Sequence, residues 1–172
     1  QNMPMGSDEY AEAMAGRIYR YRCNQWQEVY RSPTFDYEGP GPIPNGTYPK
    51  AYGYRTLGKF NGYLYACGVG TWMPPMPVSS VVRSPTGDPG TWDDVTGNLA
   101  STTNVRGLVQ WRDHLYVAVA TPGTGPVGAG GSVVYRKSND ETPGVSWEQV
   151  SEVGFNNPDN AEINYLQVFN DC

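Results

Sequence analysis

"YRTLGKFNGYLYA" occupies residues 54–66, and "VRGLVQWRDHLYVA" occupies residues 105–118. Laid over each other, Arg55 meets Arg106, Leu57 meets Leu108, Phe60 meets Trp111, and Leu64-Tyr65 meets Leu115-Tyr116. "INYLQVFNDC" (163–172) begins the pattern a third time, with Asn164, Leu166 and Phe169 at the matching places. The full copies read as a strand, a two-residue turn and a second strand. Asn61-Gly62 is a strong hairpin signal, because both turn positions favour positive φ.

A second register repeats between these hairpins. "YRYRCNQWQEV" (19–29), "VVRSPTGDPGTWDDV" (81–95) and "VYRKSNDETPGVSWEQV" (134–150) share one plan. A β-rich strand carries Arg20, Arg83 or Arg136. A polar turn follows, then Trp26, Trp92 or Trp147, two polar residues and Val29, Val95 or Val150. Together the two hairpins define a unit of four antiparallel strands, a to d. The unit repeats after 51 residues from Arg55 to Arg106 and after 58 from Arg106 to Asn164. Four short strands at such a period predict an all-β fold, a β-propeller of four-stranded blades. About three blade equivalents fit in a single domain spanning 1–172, at approximately 9–60, 61–111 and 112–172. Residues 9–15, "EYAEAMA", sit where a strand b belongs, and no helical periodicity competes with the strand reading.

Composition agrees with a turn-rich, strand-rich chain. Glycine (21) and proline (15) are abundant, tyrosine (13) dominates the aromatics, and only 17% of residues are charged. The net charge of −5 and the lack of any Lys/Arg run argue against nucleic acid and anionic membranes as partners. No stretch approaches the ~18 apolar residues of a membrane span. Cys23, Cys67 and Cys172 show no CxxC spacing beside the lone His114, which argues against a zinc site. One disulfide with one unpaired thiol, or pairing to another chain, fits the odd count. Asn45-Gly46-Thr47 matches a glycosylation acceptor. The expected location is extracellular, cell-surface or periplasmic, with any secretion signal removed from this chain or never part of it.

The turns before the tryptophans carry a resemblance. Ser138-Asn139-Asp140 followed by Gly144-Val145-Ser146-Trp147 resembles the Asp-box, S-x-D-x-G-x-[ST]-W, with two extra residues before the glycine. Asp88-Pro89-Gly90-Thr91-Trp92 is similar, one residue shorter after the glycine, and Cys23-Asn24-Gln25-Trp26 keeps only the tryptophan. The chain thus resembles the Asp-box (BNR-repeat) propellers, a group that includes sialidases and other glycosidases, sortilin-like receptors and photosystem assembly factors. The resemblance implies that Asp88, Asp140 and the tryptophans stabilise turns and pack between blades rather than catalyse.

The strand order b-c-d, a-b-c-d, a-b-c-d, a makes three blades' worth, whereas propellers have about four to eight. Two expectations follow. The chain is a piece of a longer propeller completed by a complementary polypeptide, or a second copy of the chain completes a six-bladed ring.

Function concentrates on long loops held by a rigid scaffold. From Trp26 to Arg55 is 29 residues, against 14 and 17 in the later copies, so 31–53 is an extra loop holding Asp36, Tyr37, Glu38 and Tyr52. The 69–77 loop adds Trp72. Arg55 and Arg106 start successive innermost strands, where two arginines could converge on a carboxylate or sulfate, or bond loop carbonyls. The resemblance to sialidases implies an arginine triad, but its third place here is Asn164. Candidate ligand-binding residues are therefore Arg55, Arg106, Asn164, Tyr37, Tyr52 and Trp72. The expected function is a binding or scaffold module for a glycan, a small anionic ligand or a partner subunit. The alternative is part of an Asp-box-type carbohydrate-active hydrolase whose catalytic residues lie mostly on blades outside this chain, with Asp36 and Glu38 as the catalytic candidates within it. The Gly-rich stretch 121–132 lacks a P-loop lysine, and no cofactor is expected.

Overall fold

The structure is a computed structural model that describes residues 3–40, 42–70, 80–101, 104–122, 129–138, 146–157, 159–160 and 162–169. It opens with a helix, α1 (Asp8–Met14), and continues with β1 (Arg17–Arg22), β2 (Gln25–Arg31), β3 (Thr34–Tyr37) and β4 (Gly46–Pro49). Then come β5 (Gly53–Phe60), β6 (Tyr63–Val69), β7 (Val81–Ser84) and β8 (Asp93–Asp94). The last four are β9 (Asn104–Trp111), β10 (His114–Pro122), β11 (Ala129–Ser138) and β12 (Glu148–Gln149). Apart from α1 and two short 3-10 turns, the described chain is strand and loop, so the all-β expectation holds at that level.

The repeat is visible in the pairing. β5–β8 form an antiparallel meander, each strand bonded to the next, and β9–β12 form a second. One residue pair, Val69 with Asn104, joins them into a single curled antiparallel sheet. β1 and β2 make a separate hairpin that matches the third and fourth strands of the meanders. We call β1–β2, β5–β8 and β9–β12 units one, two and three.

The predicted tight turns form for the predicted reason. Asn61 (φ 45°) and Gly62 (φ 78°) both lie in the left-handed region and close the Phe60–Tyr63 pair. Arg112 (φ 53°) makes the equivalent turn, closing the Trp111–His114 pair.

Three expectations are corrected. Residues 9–15 are not a strand b: α1 covers most of them. The Ser7 hydroxyl accepts a hydrogen bond from the Tyr10 amide at 3.1 Å, and Asp8 and Glu9 oppose the positive helix end. Ala11 is fully buried, and Tyr10 meets Tyr48 edge-on at 6.0 Å. Local capping and alanine-rich composition outweigh the repeat register here. Residues 31–53 are not merely a loop, because β3 and β4 pair across Phe35–Tyr48 and enclose a small core of Ile43 and Tyr48. Finally, residues 162–169 join no strand ladder among the described residues, although Leu166 packs over Gly107 of β9.

Two larger cores lie between units. Ile18 and Val29 of unit one meet Ala66 and Val82 of unit two. Tyr65, Cys67, Val81 and Val95 of unit two meet Leu115, Val117, Val133 and Trp147 of unit three. The period-2 alternation of strands explains this, since neighbours such as Val81 and Val82 must face opposite sides. The aromatic anchors follow the same rule. Trp92 of unit two lies 5.6 Å from Tyr30 of unit one. Trp147 of unit three donates its ring N–H to Val95 O at 3.1 Å, and its backbone exchanges two hydrogen bonds with the Asn98 side chain.

Candidate functional site

The first strands of the two meanders lie against each other. The Thr56 hydroxyl donates to the Arg106 carbonyl, and Gly58 leaves room for the Leu108 side chain. Gly107 leaves room in turn for Leu166. A side chain at either glycine would push the segments apart, so their absence of Cβ is what lets three successive repeats converge.

Convergence brings Arg55, Arg106 and Asn164 to one pocket of about 310 Å³, the lower end of the ~300–1,000 Å³ typical of ligand sites. Thr56, Leu57, Leu108 and Tyr165 complete its wall. The two arginines differ. The Arg106 guanidinium donates to Asn164 Oδ1 at 2.6 Å and pairs with Glu162 at 2.8 Å. Its charge is already answered. Arg55 is exposed, and among the described residues its guanidinium pairs with none. Asn164 uses its carbonyl oxygen on Arg106, which leaves its amide N–H groups as donors. Leu57 and Tyr165 are exposed, at 63% and 74%, and give the pocket an apolar, partly aromatic rim. A fork of guanidinium donors, an amide donor and an aromatic edge together suit a carboxylate carried on a small apolar or sugar-like body.

The other sequence candidates fall elsewhere. Tyr37 belongs to the β3–β4 core, where it meets Tyr48 edge-on at 6.3 Å and donates to Pro40 O at 3.3 Å. Tyr52 lies beside Tyr10, and burial pushes its hydroxyl pKa up. Neither lines the pocket. Trp72 and Asp140 lie outside the described residues. Asp36 and Glu38 are exposed, and Asp36 shares the Thr47 hydroxyl with Asp8, at 3.1 and 2.8 Å. Asp88 sits in the turn after β7 and binds Arg20 of unit one at 2.5 Å. That hydrogen bond, with another from Thr86, holds its carboxyl below the usual range. Around it, Ser84 accepts from the Gly87 amide at 2.7 Å and bonds the Thr91 hydroxyl at 2.6 Å. This is turn-building and unit-joining chemistry.

Sequence reasoning missed Thr56, Leu57, Leu108, Tyr165 and Glu162. All five lie within two residues of the aligned Arg55, Arg106 and Asn164 positions, so the repeat itself was the available signal. Among the described residues no cluster of three His, Cys, Asp or Glu could hold a metal ion, and no helix is long and apolar enough to cross a membrane. A comparison with protein-family models found no match, nor did comparisons with curated proteins and with solved structures.

Proposed function

We propose that the chain is part of a β-propeller binding module whose pocket takes a small carboxylate ligand, an acidic sugar being the class that suits it best. The repeated meanders support the propeller reading, with each unit as one blade and residues 162–169 as the innermost segment of a further blade. One observation carries the ligand reading: among the described residues Arg55 has no partner, at a pocket where Arg106 is already bonded to Glu162 and Asn164. Arg106 and Glu162 hold Asn164 in place, while Arg55 grips the carboxylate. Tyr165 covers the ligand's less polar face, as aromatic rings do with sugars.

Binding suits the lining better than glycoside hydrolysis. Hydrolysis requires two carboxyl groups about 5–9.5 Å apart across the bond to be cut. Among the described residues no Asp or Glu lines this pocket. An extracellular setting belongs to the same proposal, and Asn45 of its acceptor motif is exposed.

Calorimetric titration with glucuronate, against glucose as the neutral control, tests the proposal. Glucuronate should bind and glucose should not. Arg55→Gln should weaken binding about 10–100-fold, the worth of a hydrogen-bonded charge contact of roughly 1.5–3 kcal/mol. Equal affinity for both sugars, or an Arg55→Gln variant that binds as well as the parent, would remove the carboxylate reading.

A further inference from the structure

The two arginines of the pocket occupy one repeated position, and the chain answers only one of them. Arg106 reaches forward into the next copy of the repeat. Its guanidinium bonds Asn164, the aligned residue, and Glu162, two places before it. Applied to Arg55, the same reach leads to Arg106 and Asn104, a cation and an amide. Across the three copies that earlier place reads Gly53, Asn104 and Glu162, so the acid stands in the third copy alone. Asn104 is 6% exposed, and its side-chain oxygen accepts from nothing among the described residues. The repeat therefore supplies a carboxylate to Arg106 and none to Arg55.

This asymmetry sets the charge of the site. Among the described residues, the charged side chains lining the pocket are Arg55 and Arg106. Glu162 meets Arg106 at 2.8 Å, and both side chains are partly buried, so salt screens the pair less than it screens a surface pair. Two guanidinium charges and one carboxylate leave a single positive charge, on Arg55. The Arg106 Nε is buried as well, out of a ligand's reach. A ligand with one negative charge is matched by Arg55. A ligand with two brings its second charge near Glu162 with no cation to answer it, and an unpaired charge in a partly desolvated site is costly.

We propose that Glu162 is a specificity residue: by neutralising Arg106 it limits the pocket to singly charged ligands, so that a carboxylate is accepted and a phosphate monoester refused. The proposal rests on the ligand reading above and refines it. The Glu162 contact is the internal counterpart, one copy later, of the contact that a ligand carboxylate makes with Arg55.

Calorimetric titration of the parent and Glu162→Gln with glucuronate and with glucose 6-phosphate tests it. The titrations are run at about pH 8, where a phosphate monoester carries two charges, its second pKa being about 6. The parent should prefer glucuronate. Glu162→Gln should gain about 10-fold in affinity for glucose 6-phosphate and less than about 3-fold for glucuronate. Glutamine keeps the shape of the side chain and an oxygen that accepts from Arg106, and circular dichroism checks that the fold persists. Adding Arg106→Gln to Glu162→Gln should remove the gain, because the unmasked charge is then gone. A Glu162→Gln variant that binds glucose 6-phosphate no better than the parent overturns the proposal, and so does a gain that survives the loss of Arg106. The two readings separate cleanly. A parent that binds no glucuronate, beside a full phosphate gain in Glu162→Gln, removes the acidic-sugar reading and upholds the role of Glu162. Glucuronate binding that depends on Arg55, beside an unchanged phosphate affinity in Glu162→Gln, upholds the former and overturns the latter.

Discussion

Units one and two carry the same tryptophan-bearing hairpin, yet one is naked and the other is sandwiched. In unit two, alternate residues of β6 and β7 enter two different cores, so neither face of that strand pair is open. In unit one, Ile18 and Val29 enter a core while Tyr19, Tyr21 and Trp26 face away from it. The sequence spacing is the same, so the difference lies in what stands beside each hairpin. Repeat proteins behave this way because a unit is stabilised by its own pairing plus one contact to each neighbour.

The tryptophans give the sharpest way to break that comparison. Trp147→Ala removes a buried indole, its hydrogen bond to Val95 and its packing, and should cost about 3–5 kcal/mol. Trp26→Ala should change the stability of the monomer by no more than about 0.5 kcal/mol. Urea denaturation of the two variants checks the contrast, and equal losses would mean that the hairpins are not equivalent parts of one repeat.

The cysteines sharpen it at smaller scale. Cys67 lies in the core between units two and three, and burial pushes its thiol up to about 12. Cys23 sits exposed at the tip of the unit-one hairpin, with φ 51° in the left-handed region. The thiolate is the reactive form. Iodoacetamide at neutral pH should therefore label Cys23 within minutes and Cys67 only after denaturant is added. Labelling of both thiols at similar rates in the native protein would contradict the covered state of unit two.

The smallest effect concerns the ion pair that joins units one and two. Asp88 has its folded pKa lowered, chiefly by the hydrogen bond from Arg20. A depressed carboxylate stabilises the fold above its unfolded pKa, and that contribution disappears as pH falls through the folded value. Glu148 in unit three is depressed for the same reason by Arg136. Asp88→Asn should thus lower the thermal midpoint slightly at pH 7 and leave it unchanged well below pH 3. Both side chains are solvent-accessible, so the loss is small. A variant whose deficit grows on acidification would refute the pairing as the cause.

The strand pairs and tight turns were legible because their causes are local. Asn61-Gly62 needs nothing but its own backbone preference to turn, and alternating Leu115, Val117 and Val119 need only one apolar side. Residues 9–15 were misread because the repeat register was extended over a segment whose own chemistry, Ser7 as cap and alanines at 11, 13 and 15, specifies a helix. The β3–β4 hairpin escaped notice because proline and glycine dominate its connection and the pairing of Phe35 with Tyr48 is not a repeat feature.

The sequence by itself determined the four-strand units, their order and the equivalence of Arg55, Arg106 and Asn164, since each rests on spacing along one chain. Tertiary structure alone decided that these three residues meet at one pocket, that among the described residues Arg106 has side-chain partners while Arg55 has none, and that Tyr37 and Tyr52 lie away from that pocket. Those outcomes depend on close approach at Gly58 and Gly107 and on which face of each unit finds a neighbour. Both are long-range facts, and residue type in one dimension does not encode them.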